Sequence, residues 1–197
     1  KNTRHSIRCV EGEPDSVFPV MEFPPPSNTT GTLTDARDDR VYATTQIGTQ
    51  HWMAENLAYE ADGSLCYSHQ DDHCRLFGRL YDFALAQTVC PAGWHLPTLD
   101  EWHTLADYVD SQTGQLGATV DGDWSTWTIG EHLINSVLWP APPDVDPPFG
   151  FNALPAGWML NSENSGAFPD SEATFWAASG SDEIPVTVEE KRVIDCD

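Results

Sequence analysis

The chain has 197 residues, 40% of them apolar, and carries eight Trp, eight Phe and five Tyr, the composition of a folded domain with one sizeable core. Nine Lys and Arg against 31 Asp and Glu leave a net charge of −22, which repels nucleic acid and anionic membrane surfaces. No run approaches the ~18 consecutive apolar residues of a membrane span.

Residues 1–10 hold the run Ser6-Ile7-Arg8-Cys9-Val10, read as a β-strand in which Ile7 and Cys9 point one way and Arg8 the other. Residues 11–33 form a linker with Glu13-Pro14, Phe18-Pro19 and Phe23-Pro24-Pro25-Pro26. Proline fixes φ and removes amide donors, so this segment is expected to be extended and to reach roughly 60–70 Å. Within it, Phe18, Val20 and Phe23 are candidates for packing along a neighbouring molecule, and Asn28-Thr29-Thr30 is a candidate glycosylation sequon.

The globular body is placed at residues 34–197. Val41, Ala43, Thr45 and Ile47 alternate with Tyr42, Thr44 and Gln46, which predicts a half-buried strand, and Gly48-Thr49 turns into a second, Gln50 to Met53. Cys66 and Cys74 flank a polar stretch and fit a small disulfide loop; a zinc site with His69 and His73 is the weaker alternative, because His73 and Cys74 are adjacent. An open disulfide loop implies an oxidising, extracellular setting. Beginning at Lys1, without Met, suits a processed mature chain.

A helix is predicted over Leu80 to Thr88. A better-signalled one follows Pro97, where Thr98 and Glu101 make a capping box and Leu99, Trp102, Leu105, Ala106 and Val109 one apolar stripe. Gly114 to Gly157 is loop-rich, with a short helix over Gly130 to Val137. Its Trp124, Trp127 and Trp139 are candidates for stacking on sugar rings. Phe175 to Ala177 and Pro185 to Val188 read as late strands. The pattern is α+β. No catalytic Gly-x-Ser-x-Gly, His-Glu-x-x-His or P-loop motif occurs, and Asp121-Gly122-Asp123 and Asp144-Val145-Asp146 fall short of a calcium loop. A non-enzymatic protein without cofactor or metal is therefore expected.

Several ordered blocks resemble the Fibrobacter succinogenes major paralogous domain, a family of bacterial surface and secreted domains. They are Thr34-Asp35-Ala36-Arg37-Asp38 with Tyr42, Ile47 to Leu57, Cys66-Tyr67, Gly78 to Tyr81, Cys90-Pro91-Ala92-Gly93-Trp94-His95-Leu96-Pro97-Thr98 with Glu101-Trp102, Gly150 to Gly157, and Phe175-Trp176. The helix-leading Trp-His-Leu-Pro-Thr block also looks like C-type-lectin-like and formylglycine-generating-enzyme-like folds. The resemblance thus implies a C-type-lectin-like mixed domain with two main helices and a loop-rich insertion. The enzyme's cysteine pair is not recognisable, so its activity is not carried over.

Family members usually finish with a strand close to G-F-S-V-R-C-V-R-D, whereas this sequence stops at Val193-Ile194-Asp195-Cys196-Asp197 and carries a similar run at Arg4 to Val10. The resemblance implies a terminal strand displaced to the N-terminus and a bond from Cys9 to Cys90, that of the next subunit if the strand is exchanged, leaving Cys196 as the odd thiol. The strand can fold back into its own domain or insert into the next subunit; the Pro-rich linker favours exchange. The expected function is an extracellular subunit polymerising head-to-tail into a pilus-like fibre, with other copies of itself as partner. The alternative is a monomeric lectin-like domain that binds surface glycans.

Overall fold

The computed structural model describes residues 3–12, 30–114, 119–121, 124–127, 129–134, 139, 148–159, 173–179, 182–188 and 193–195. In chain order these form β1 (Val10–Glu11), β2 (Thr30–Asp35), β3 (Arg40–Ile47), β4 (Gln50–Met53), a 3₁₀ turn (Tyr67–His69), α1 (Asp71–Phe77), α2 (Phe83–Ala86) and β5 (Trp94–His95). They continue with α3 (Leu99–Thr113), β6 (Thr119–Asp121), β7 (Trp124–Trp127), α4 (Gly130–Leu133), β8 (Ala173–Ser179), β9 (Asp182–Val188) and β10 (Val193–Asp195). The architecture is mixed α+β.

Two antiparallel five-stranded sheets run β2-β3-β4-β1-β5 and β6-β7-β10-β9-β8. The first is built on the β3–β4 hairpin, whose turn places Gly48 at φ 58°; a Cβ there would meet the Tyr108 ring at 2.9 Å, so glycine serves both the turn and the close packing of α3. Helix α3 starts where its sequence says it should. The Thr98 hydroxyl accepts from the Glu101 amide at 3.2 Å and the Glu101 carboxylate accepts from the Thr98 amide at 2.8 Å. Its stripe of Trp102, Leu105, Ala106 and Val109 is buried, and Gly114 ends it in the left-handed region.

The first sheet lies between two apolar clusters. On one side Trp52, Trp102, Phe151 and Phe175 meet, Trp52 and Trp102 with ring centroids 5.1 Å apart; on the other are Ile7, Cys9, Tyr42, Met53, Leu57 and Trp176. Covering both faces explains a departure from the alternation expected of β3. Val41 is 56% exposed, while Tyr42, Thr44, Thr45 and Ile47 are all buried.

Other expectations are also corrected. The helix placed over Leu80 to Thr88 is only α2, because Leu80 and Tyr81 are extended: Leu80 exchanges backbone hydrogen bonds with Leu65, and Tyr81 with His5. Asp82 then caps α2 by accepting from the Leu85 amide at 3.0 Å. The polar stretch between Cys66 and Cys74 contains the start of α1. The helix expected over Gly130 to Val137 stops at Leu133, since Ile134 pairs with Ala153. Within the supposed loop region, β6 and β7 form a hairpin that pairs with β10. Strand β2 begins at Thr30, inside the stretch assigned to the linker.

Candidate functional site

The N-terminal run fills a slot in the middle of the molecule. His5, Ser6, Ile7, Arg8, Cys9 and Val10 are all 5% exposed or less, and the backbone of residues 4–12 is tied to segments far away in sequence. Arg4 exchanges hydrogen bonds with Met159, and His5 with Tyr81. The Ser6 amide donates to Thr174 O at 3.1 Å, Ile7 O accepts from Leu57, and Cys9 O accepts from Met53 at 3.0 Å. Val10 pairs with Trp52 on one side and His95 on the other. Ser6 also bridges to Phe175 of β8, so the run contacts both sheets. A strand buried on both faces and hydrogen-bonded on both edges belongs to the interior of a sheet.

Its side chains alternate as expected, but neither side is solvent. Ile7 and Cys9 enter the cluster around Tyr42, Met53 and Trp176, and Cys9 is bonded to Cys90 with the Cα atoms 6.0 Å apart. On the chain-entropy estimate, closing this 81-residue separation constrains the unfolded chain by about 4.5 kcal/mol. Val10 enters the cluster around Trp52 and Trp102. Arg8 lies wholly buried beside the rings of Phe151 and Phe175, 4.7 and 5.7 Å from their centroids.

Among the described residues, Arg8 is held by a set of neutral oxygen acceptors. Nε donates to Asn56 Oδ1 at 2.7 Å, Nη1 to Met53 O at 3.0 Å and to Phe151 O, and Nη2 to Asn152 O at 2.7 Å. Asn56 is oriented for this by donating its own amide to Phe77 O at 2.8 Å. Asn152 sits at φ 53°, a conformation asparagine tolerates better than most residues. Burial lowers the Arg8 pKa to about 9, opposed by the field of Glu55; the guanidinium remains charged at neutral pH. His5, packed edge-on against Trp176 at 4.3 Å, is pushed by burial down to about 3 and is neutral.

The second disulfide joins Cys66 and Cys74, with Cα atoms 4.9 Å apart. Beside it, His73 Nδ1 hydrogen-bonds Tyr67 O at 2.9 Å. Trp139 is not available to a sugar: it is 4% exposed and its indole N–H donates to Ala153 O at 2.9 Å, which removes it from the glycan candidates. Trp124 and Trp127 open and close β7, but their side chains, like Phe18, Val20, Phe23, Asn28 and Cys196, lie outside the described residues.

The sequence singles out Ser6 to Val10 as a strand but does not point to the Arg8 acceptors. Asn56 and the Phe151-Asn152 pair stood only inside blocks matched for resemblance. The signal that could have found them is Arg8 itself, a charge set inside an otherwise apolar strand.

The fold is thus an α+β domain in which the N-terminal run is paired on both edges, between β4 and β5 of the first sheet. The family model of the Fibrobacter succinogenes major domain matches residues 45–189, and the chain belongs to that family. The inserted strand precedes the matched region. Neither a curated protein nor a solved structure matches the chain. The two disulfides are consistent with a secreted or extracellular protein, and among the described residues no helix is long and apolar enough to cross a membrane.

Proposed function

We propose that the protein is an extracellular, non-enzymatic structural subunit that assembles head-to-tail by lending its N-terminal strand to the slot of a neighbouring copy. The observation that supports this is the mismatch between the gap and its connector. Val10, Trp52, Thr45 and Thr30 lie side by side across β1, β4, β3 and β2. The strand therefore leaves, and β2 begins, at the same end of the sheet, about 14 Å apart at the usual spacing between strands. The segment from Gly12 to Thr30 can span about 60 Å when extended, so it does not compel the strand to occupy its own body. Its prolines resist collapse into a short loop. On the same reading the domain has C-type-lectin-like architecture, with an early strand bridged to a late one beside the capped helix α3.

Once exchanged, each junction is locked by a bond between Cys9 of one copy and Cys90 of the next. Non-reducing denaturing electrophoresis of the full chain, in a Cys196→Ala background, tests this directly. The expected pattern is a ladder of multiples of 21.8 kDa that collapses to one band with dithiothreitol and is absent in Cys90→Ala. A single 21.8 kDa band, together with a monodisperse monomer on size-exclusion chromatography, rejects polymerisation and leaves closure within one chain.

A further inference from the structure

We propose that the slot is an arginine-selective strand receptor: it takes the Arg4–Glu11 segment of this chain, or of another copy, because of the guanidinium at position 8, and it rejects an otherwise identical strand carrying lysine there. The selectivity belongs to the slot and holds for either source; only the naming of a second copy as donor rests on the polymerisation reading.

The argument is one of donor geometry. A guanidinium carries five N–H groups in a flat fork, and among the described residues four hydrogen bonds leave Arg8 from all three of its nitrogens. The acceptors come from three places: the end of β4 at Met53, the following segment at Asn56, and the 148–159 segment at Phe151 and Asn152. Lysine keeps the charge but has three donors on one nitrogen for the four acceptors that Arg8 reaches, so at least one of them loses its donor. An apolar residue leaves Met53 O and Phe151 O, both in fully buried residues, without the Arg8 donor. The two aromatic rings beside the guanidinium further favour a flat cation over a hydrated ammonium.

Charge also singles out this strand as the occupant. Lys1, Arg4 and Arg8, three of the nine cationic residues, lie within the first ten positions, and none of the 31 Asp and Glu does. The remainder of a copy is correspondingly acidic and attracts such a segment.

The experiment uses the full chain with Cys9→Ala, so that its own strand cannot bond Cys90. The chain is reduced, refolded with an equimolar excess of two synthetic peptides of residues 1–12, one native and one with Arg8→Lys, and then oxidised. Mass spectrometry counts which peptide is bonded to Cys90. The expected result is an excess of the native adduct of about tenfold or more, the scale of one lost charge-assisted hydrogen bond; adducts in equal amount overturn the proposal. If no adduct forms, the slot is held by the chain's own strand or by that of another copy, the ladder experiment reads polymerisation separately, and selectivity is read in Cys90→Ala by alkylation of the buried Cys9. There, Arg8→Lys and Arg8→Met raise the labelling rate by about tenfold or more. Equal rates overturn the proposal even if ladders form.

Discussion

Arg8 and Asn56, 48 residues apart in sequence, meet through a 2.7 Å hydrogen bond from Nε to Oδ1 in a site closed to solvent. Asn56 has no freedom to turn away, because its amide is committed to Phe77 O. Removing it with Asn56→Ala leaves a buried cation short of an acceptor and a carbonyl short of a donor. The expected loss is about 2–4 kcal/mol, read as a lower urea midpoint with an unchanged slope.

The two disulfides are expected to contribute unequally. Loop-closure entropy grows with the logarithm of the closed length, giving about 4.5 kcal/mol for Cys9–Cys90 and about 2.5 kcal/mol for Cys66–Cys74, whose separations are 81 and 8 residues. Replacing both members of the first pair by Ala therefore lowers Tm more than replacing both members of the second. The opposite order, measured by calorimetry, would mean that the Cys9 strand is held by its packing and hydrogen bonds alone.

What could be read from the sequence was what is local. Helix α3 announces itself because the capping box and apolar stripe lie within a few turns of one another, and the β3–β4 hairpin because its turn is written in Gly48-Thr49. Helix α1 has no such stripe: Asp71 and Asp72 open it and Leu76 is 49% exposed. Leu80 and Tyr81 carry the residue types of a helix, but their backbones are taken by Leu65 and by the N-terminal run. The slot shows both sides of this. Alternation fixed which way Ile7, Arg8 and Cys9 point, but that Arg8 points into the molecule depends on Phe151 and Asn152, more than 140 residues away.

Acid should loosen the strand through His5. Its folded pKa of about 3 lies below its ordinary value of 6.5, so the unfolded chain binds the proton first and stability falls as pH drops below about 6.5. At 1.36 kcal/mol per pH unit, about 2 kcal/mol is lost by pH 5. Asp35 acts lower: hydrogen bonds from Arg37 hold its pKa below 3.8, so its contribution is lost only beneath that value. His5→Phe keeps a ring against Trp176 and removes the titration. Its urea midpoint should be flatter than that of the unmodified chain between pH 7 and 5, and parallel profiles would clear His5 of the effect.

Gly78 supports the slot from behind. It adopts φ 78° and ψ −168°, a region nearly restricted to glycine. A Cβ there would lie 2.7 Å from Asn56 Cβ and 2.9 Å from Leu57 O. Both neighbours hold the strand, Asn56 through Arg8 and Leu57 by donating its amide to Ile7 O at 3.0 Å. Gly78→Ala is expected to cost about 3 kcal/mol, with part of that cost transmitted through Arg8. A double-mutant cycle separates the parts: in an Arg8→Met background the same glycine substitution should cost about 1 kcal/mol less. Additivity within about 0.5 kcal/mol in urea unfolding of the four proteins would instead confine the effect of Gly78 to its own backbone, leaving the Arg8 acceptors independent of the turn behind them.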